Sequence, residues 1–550
     1  MTTRRSGDTS DDTTGAPPGW LADAVVYEIY PQSFADSDGD GIGDLRGVID
    51  HLDHLEWLGV DVLWFNPCFA SPFRDAGYDV VDYLRIAPRY GTNEDMVELV
   101  EQARRRGIRV LLDLVAGHTS IDHPWFVQAL ADPADDRYIW ADRAGPALVP
   151  SPGPRPGWYL KNFFDSQPAL NFGYARPHPD EPWRQVTDAP GPTRNREALQ
   201  EIIGFWLDRG VAGFRVDLAF SLVKDDPDLE ATTALWREIA GWMHARYPDA
   251  VLLPEADDDN TADAGLRGGF DADFALVIQR EHSALFNNGA TGYLTWQDPA
   301  VAEPCYFDPD VDGADGTRAL ETFLQVWDER EREAGADRLV VLPTADHDFS
   351  RLAAGPRTGD QLRPAFTFLL TWGSLPSIYY GDEIGMRNLP EAPETEGSRW
   401  NPGYDRAGCR TPMQWDDALA NSGFSTAPAK RLYLPQDPDP SRPTVAAQRD
   451  DPGSLLHHVR DLVELRRRTP ALRTGGPRTV VHVGYPFVYL RGEEHLVVVN
   501  PRREAARATI PALAGATATT VLGDGVRVED GVVEVAGGGH AVLALTGPGS

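Results

Sequence analysis

Four stretches of this chain share one pattern, a short and nearly unbroken apolar run that ends in an acidic residue or a histidine. They are Arg109-Val-Leu-Leu-Asp-Leu-Val-Ala-Gly-His118, Gly213-Phe-Arg-Val-Asp217, Val251-Leu-Leu-Pro-Glu255 and Leu339-Val-Val-Leu-Pro-Thr-Ala-Asp-His-Asp348. Apolar runs without alternation predict strands buried on both faces, as in a parallel sheet. Val25–Pro31, Val60–Pro67 and Pro376–Tyr380 read as further strands, and a weak sixth strand falls near Phe274–Ile278. Helical periodicity lies between them. Asn93–Arg106 follows a Thr/Asn cap signal and stops before Gly107, and Arg196–Arg209 precedes the Gly213 strand. Strands alternating with helices predict an α/β fold, a (β/α)8 barrel. The charged strand ends would then ring its C-terminal mouth, where barrel active sites form.

The alternation stops after His118. Residues 119–190 are rich in Pro, Gly, Trp and Tyr and read as a loop-rich insertion over the mouth, after strand 3. The barrel is expected over 19–118 and 191–475, with a long Pro-rich loop at 386–450 and a helix at Ser454–Arg468. From about residue 476 the runs shorten and alternate (Thr479–Val483, Leu496–Val499, Val532–Val535, Ala541–Leu545), with Gly at the turns. That pattern predicts an all-β C-terminal domain, a β-sandwich over 476–550. Residues 1–18 are polar and expected to be disordered. A chain of 550 residues exceeds one ordinary core, and a barrel of about 250–400 residues with added domains accommodates it.

Charge narrows the partners. Net charge is −33, with 84 acidic and 51 basic residues, which argues against nucleic acid and anionic membranes. The acidic residues are dispersed, as on a solvated surface. Only Lys161, Lys224 and Lys430 are lysines, consistent with coding bias or a salt-adapted surface. Cys68, Cys305 and Cys409 show neither metal spacing nor a disulfide framework. Arg4-Arg5 leads into polar residues rather than an apolar signal segment, and no apolar run nears the roughly 18 residues that span a bilayer. A cytoplasmic location is the expectation.

Gly213–Asp217 carries the most chemistry. Arg215 and Asp217 are two apart on a strand and share a face. A cation that close favours an ionised, oriented carboxylate, as the nucleophile of a retaining glycosidase requires. A buried structural salt bridge explains the pentapeptide equally well. Four strands ending alike, in order, favour the chemical reading.

Together these segments resemble glycoside hydrolase family 13, the α-amylase family, over about residues 20–550. The resemblance implies Asp217 as nucleophile, Glu255 as general acid/base and Asp348 as a third carboxylate that binds sugar hydroxyls. It implies Arg215 as the residue orienting Asp217, and His118 and His347 as partners of the reacting glucose. Tyr78, in Asp75-Ala-Gly-Tyr-Asp79, resembles the aromatic platform beneath that sugar. Asp75 sits where pocket-type members hold the non-reducing glucose, and Arg410, in Arg410-Thr-Pro-Met-Gln-Trp-Asp416, resembles its partner in closing the pocket. The apolar Val-Leu-Leu-Pro before Glu255 is expected to raise its carboxyl by desolvation.

Asp36-Ser-Asp38-Gly-Asp40-Gly-Ile42-Gly-Asp44 alternates acidic groups with glycines. It resembles the calcium or magnesium loop of the oligo-1,6-glucosidase and trehalose synthase branches. The implied ligands are Asp36, Asp38, Asp40, the Ile42 carbonyl and Asp44, with a structural role for the ion. An acidic loop without an ion is the alternative. No cofactor is implied for the chemistry itself.

Gln167-Pro-Ala-Leu-Asn171 and the Arg-Thr-Pro-Met-Gln-Trp segment resemble α-glucosidases, oligo-1,6-glucosidases and trehalose synthases rather than endo-acting amylases. Three positions depart from the family pattern. Gly117 stands where an Asn usually precedes the His, Ala169 replaces an Asp, and Leu218 is larger than the usual residue after the nucleophile. The expected activity is exo-acting hydrolysis of short α-glucosides. The alternative passes the same glucosyl-enzyme intermediate to a sugar acceptor, as in trehalose synthase. A non-catalytic family member would be expected to have lost Asp217, Glu255 or Asp348, and all three are present.

Overall fold

The computed structural model describes residues 17–256, 267–274, 280–286, 305–307, 316–334, 339–354, 357, 359–401 and 404–546. Its centre is an eight-stranded parallel sheet closed into a barrel. The strands are β1 (Val26–Ile29), β2 (Val62–Phe65), β3 (Arg109–Val115), β4 (Gly213–Asp217), β5 (Val251–Pro254), β6 (Ala272–Phe274), β7 (Leu339–Pro343) and β8 (Leu375–Tyr379). They run in the order β5-β4-β3-β2-β1-β8-β7-β6. The seam between β5 and β6 is joined by Asp271. Its N–H donates to the Leu252 carbonyl at 3.0 Å, and its carboxylate accepts from the Leu252 N–H at 2.8 Å. The weak sixth strand is Ala272–Phe274, and residues 275–278 of that expectation lie outside the described residues.

Period-2 alternation sorts the strand residues into two cores. Val26, Val62, Trp64, Leu111, Val251, Leu253, Leu339, Val341 and Leu375 fill the barrel. Tyr27, Leu63, Leu112, Phe214, Val216, Leu252 and Leu342 face the surrounding helices. Gly213 is required at the start of β4. Its φ is +150°, and a Cβ there would lie 2.1 Å from the Val251 carbonyl oxygen.

The helices follow their local signals. α1 (Asn93–Arg105) opens on a capping box in which Thr92 and Asp95 bond each other's backbone N–H. α2 spans Pro190–Leu207 and starts six residues before the expected Arg196, because Pro190 serves at the first turn. α3 is Glu230–Arg246, and α4 (Leu455–Arg468) is capped by Ser454. No helix among the described residues is long and apolar enough to cross a membrane.

Between β3 and α2 lies a helix, Pro124–Ala131, and a three-stranded antiparallel sheet of Trp140–Ala141, Trp158–Leu160 and Leu148–Pro150. The C-terminal region is antiparallel: β9 (Arg478–His482), β10 (Phe487–Arg491), β11 (His495–Val499), β12 (Ala506–Thr509), β13 (Thr517–Glu529) and β14 (Val532–Thr546). Its strands are joined in one hydrogen-bonded network around a shared apolar core. β14 pairs with β12 and β11 along one edge and with β13 along the other. The two strands expected at Val532–Val535 and Ala541–Leu545 are thus a single strand running through Gly537–Gly539.

Candidate active site

Arg215 and Asp217 both point into the barrel from β4. Cross-strand register sets Arg215 between Asp113 of β3 and Leu253 of β5. Asp113 is a carboxylate inside an otherwise apolar strand, and Arg215 Nη1 donates to both its oxygens at 3.0 Å. Nη1 also reaches Asp217 Oδ1 at 3.2 Å, and Nη2 reaches Glu255 Oε1 at 2.7 Å. One buried guanidinium therefore holds three carboxylates.

That inventory changes two expectations. Three carboxylates carry more charge than one cation balances, so the cluster favours a bound proton, shared by the group. Burial and then Glu255 push the Asp217 carboxyl well above its ordinary range, and Arg215 pulls the other way without prevailing. Burial likewise lifts Asp113 to about 6 against the pull of Arg215. Arg215 thus offsets only part of the push that burial and the neighbouring carboxylates exert on Asp217. Glu255 does not sit in the expected apolar surroundings. Its oxygens accept from Arg215 and from the Leu218 N–H at 2.7 Å. Leu218 makes that bond with φ of +43°, a left-handed conformation that a bulky residue rarely adopts and that concentrates at functional sites. Asp217 Oδ2 is buried and accepts no hydrogen bond among the described residues.

Asp348 follows β7. Burial would raise its carboxyl, but His347, Arg406 and Arg410 hold it well below the usual range. Its Oδ1 accepts from Arg410 Nη2 at 2.8 Å and from Arg406 Nη1 at 3.1 Å. This revises the pairing expected for Asp75. The cation on Asp75 is Arg406, whose Nη2 donates to Oδ1 at 3.0 Å, while Gln167 of the insertion donates to Oδ2 at 2.7 Å. Arg410 lies behind Asp348, its Nε on the His347 carbonyl at 2.7 Å. Both arginines occupy one loop four residues apart, and nothing local distinguishes them.

Tyr78 bonds Asp113 at 3.1 Å and His347 Nε2 at 2.7 Å through its hydroxyl. His347 Nδ1 meets Glu28 Oε1 of β1 at 2.8 Å. His118 Nε2 lies 3.1 Å from the Tyr78 carbonyl and Nδ1 lies 3.1 Å from Asn162 Nδ2. A cavity of about 360 Å³ is lined by Asp75, Tyr78, His118, Phe163, Asp217, Leu218, Glu255, Asp348 and Arg406. The structure thus brings six of the predicted residues to one pocket, with Arg215, His347 and Arg410 behind its wall. Asp113, Gln167, Arg406 and Asn162 were not anticipated. Two of them carried a sequence signal: Asp113 is a charge inside an apolar run, and Gln167 opens the Gln167-Pro-Ala-Leu-Asn171 segment.

The acidic loop after β1 gathers Asp36, Asp38 and Asp40, whose carboxylate oxygens lie within 4.8 Å of one another. Asp44 caps the following helix and accepts from the Gly47 N–H at 2.7 Å and the Ser37 N–H at 2.8 Å. The Ile42 N–H donates to Asp40 at 2.8 Å.

Residues 28–266 and 314–475 match the model of the α-amylase catalytic domain. The chain is 32% identical to the trehalose synthase/amylase TreS of Mycobacterium tuberculosis, over 84% of this chain and 77% of that protein. It is 31% identical to a probable α-glucosidase of Rhizobium meliloti, over 90% and 91%. The trehalulose synthase MutB from Pseudomonas mesoacidophila superposes with a TM-score of 0.76 at 26% identity, covering 97% of this chain and 100% of that one. With its barrel, its sequence match and the strand-end carboxylates now on the page, the chain belongs to the α-amylase family, glycoside hydrolase family 13.

Proposed function

We propose that this protein is a retaining, exo-acting α-glucosidase that cleaves short α-glucosides through a covalent glucosyl–Asp217 intermediate. The observation that carries the reading is the pairing of Asp217 and Glu255 on one guanidinium in a small pocket, with Asp217 Oδ2 buried and without a hydrogen-bond partner among the described residues. That oxygen is the one to attack the anomeric carbon. The proton held by the carboxylate cluster must sit on Glu255 when the sugar covers Asp217, and Glu255 then delivers it to the leaving oxygen. In the second step Glu255 takes a proton from the incoming hydroxyl as that oxygen displaces Asp217. Asp348, kept ionised, binds ring hydroxyls and steadies positive charge that develops on the sugar. The Asp75–Arg406 pair closes the far wall, which suits a pocket taking one glucose from a chain end. Tyr78 forms the platform, His118 lines the pocket beside it, and His347 braces the Tyr78 hydroxyl from behind the wall.

A second reading is a transglucosidase or glucosyl isomerase. Relatives named trehalose synthase and trehalulose synthase favour it, as do Phe163 and Leu218, which add an apolar surface to the pocket wall. Water and sugar compete for one intermediate, so acceptor geometry alone separates the readings. All three cysteines are buried free thiols, which supports a cytoplasmic enzyme.

The loop after β1 suits a structural Ca2+ or Mg2+. Burial raises the Asp40 carboxyl, and Asp38 and Asp36 add to it, a repulsion that a hard cation would relieve. Asp36, Asp38, Asp40, the Ile42 carbonyl and Asp44 would hold the ion, which would brace the loop and take no part in bond cleavage.

The deciding experiment is a proton NMR time course on maltose, isomaltose, sucrose and trehalose supplied singly, with Asp217→Asn as control. Early α-glucose without new disaccharide is expected. A disaccharide that precedes glucose would replace hydrolysis by glucosyl transfer. Asp217→Asn is expected to lower turnover by about 10⁴-fold or more. Retention of wild-type turnover in that variant would sink the mechanism.

A further inference from the structure

Gly117 has no left-handed backbone to account for it, so space must be the reason. A Cβ at this position would stand 2.9 Å from Asn162 Nδ2 and 2.9 Å from Ser221 Oγ. The opening left by Gly117 is therefore filled by an amide that arrives from the insertion. Asn162 Oδ1 accepts from Lys224 Nζ at 3.0 Å, and its Nδ2 lies 3.2 Å from Ser221 Oγ and 3.1 Å from His118 Nδ1. Lys224 Nζ also donates to the Ser221 carbonyl.

Donor and acceptor logic leaves one arrangement. A lysine ammonium can only donate, so the Asn162 oxygen must face Lys224 and its NH2 must face the ring. The Tyr78 carbonyl can only accept, so His118 Nε2 carries the proton. Nδ1 is then bare and accepts from Asn162. We infer that Asn162, oriented by Lys224 and admitted by Gly117, is a positioning residue that locks His118 in the neutral Nε2–H tautomer at the sugar pocket. The inference deepens the glucosidase reading and rests on it for its kinetic consequence.

The electrostatics agree. Burial, with Lys224 adding to it, lowers His118 to about 4, so the ring stays neutral across the working range. Burial also lowers Lys224 to about 8. The charged groups sharing this pocket are Asp75, Asp217, Glu255, Asp348 and Arg406.

Asn162→Asp tests the relay with little change in shape. A carboxylate still accepts from Lys224 but offers Nδ1 no proton, and it favours an imidazolium instead. The full chain, labelled with 15N-histidine and assigned by loss of the His118 signals in His118→Gln, reports each ring nitrogen. The wild type is expected to show Nδ1 unprotonated at pH 7, and Asn162→Asp to show it protonated. The kcat/KM profile of Asn162→Asp should gain an acid limb between pH 5 and 8 that the wild type lacks. Asn162→Leu should lose about tenfold in kcat/KM, since Nδ1 is left without a donor. Gly117→Ala, which displaces the amide, should lose a similar factor, and combining it with Asn162→Leu should add nothing further. Unaltered ring signals and an unaltered pH profile in Asn162→Asp would overturn the inference, as would additive losses in the double variant. If the wild type turns over no α-glucoside, the functional reading fails, and the ring-nitrogen signals alone then decide the relay.

Discussion

At its N-terminal end the barrel interior is filled by Val26, Leu111 and Val251, and two or four residues further along the same strands stand Glu28, Asp113 and Glu255. The base also opens to the wider cleft, about 1110 Å³ against about 360 Å³ at the mouth. Arg104, Arg109 and Arg246 reach that cleft, but Arg104 and Arg246 are exposed, where water screens their charge. At the mouth Arg215, Asp113 and Asp217 are buried together in the barrel. Buried charges that converge on a small space mark the chemistry better than the size of the space. The difference also assigns labour: the base holds the barrel closed and the mouth spends part of that stability on crowding like charges.

The sharpest way to break this contrast is at Arg406. Removing it strips the buried Asp75 of its cation and Asp348 of one of two. Arg406→Ala is expected to lower kcat/KM on disaccharides by about 100-fold or more, the cost of leaving a buried charge unpaired. Arg410→Ala should leave the Asp75 pairing in place. Steady-state kinetics on the two variants would refute the assignment if only Arg410→Ala impaired disaccharide binding.

The base should respond the opposite way. Leu111→Ala is expected to cost about 2–5 kcal/mol of stability in urea unfolding. The kcat/KM of the folded enzyme should stay within about twofold of wild type. A large kinetic defect without lost stability would show that the base also shapes the mouth.

Acid should stabilise the crowded mouth. Burial and Asp348 raise Asp346 to about 7, and Asp113 stands at about 6. A carboxyl raised on folding binds protons more tightly in the folded state. Its contribution is complete below the unfolded value near 3.8 and is lost as pH rises through the folded value. The unfolding temperature is therefore expected to fall between pH 5.5 and 8. Asp346→Asn should flatten that fall, and an unchanged slope would remove Asp346 as its source.

The smallest effect concerns the rim. Calcium is expected to raise the unfolding temperature, and the Asp38→Asn/Asp40→Asn double variant to abolish the rise while keeping turnover. Calcium titration followed by calorimetry would detect this, and an equal rise in both proteins would place binding elsewhere.

The barrel strands were legible because each is a local run of buried apolar residues with a charge at its end. The helix at Asn93–Arg105 was legible through its cap. Among the C-terminal strands, Ala506–Thr509 and Thr517–Glu529 were not, since both are largely exposed and carry little apolar alternation, whereas Phe487–Arg491 is a buried apolar run whose signal was present but not taken up. Asp217, Glu255 and Asp348 could be singled out by position, but their protonation could not. It depends on how many carboxylates meet one guanidinium, and Asp113, Asp217 and Glu255 come from three strands.

The same division holds for the pocket's second layer. The chain by itself determined which strand ends are charged, because strand period and strand burial are local. Only the tertiary structure decided that Arg406 rather than Arg410 faces Asp75, and that Asn162 fills the space over Gly117. Those pairs are separated by 331 and by 45 residues (162 less 117). Coulomb energy and hydrogen bonding act over a few ångströms, so distances along the chain say nothing of them until the barrel has closed.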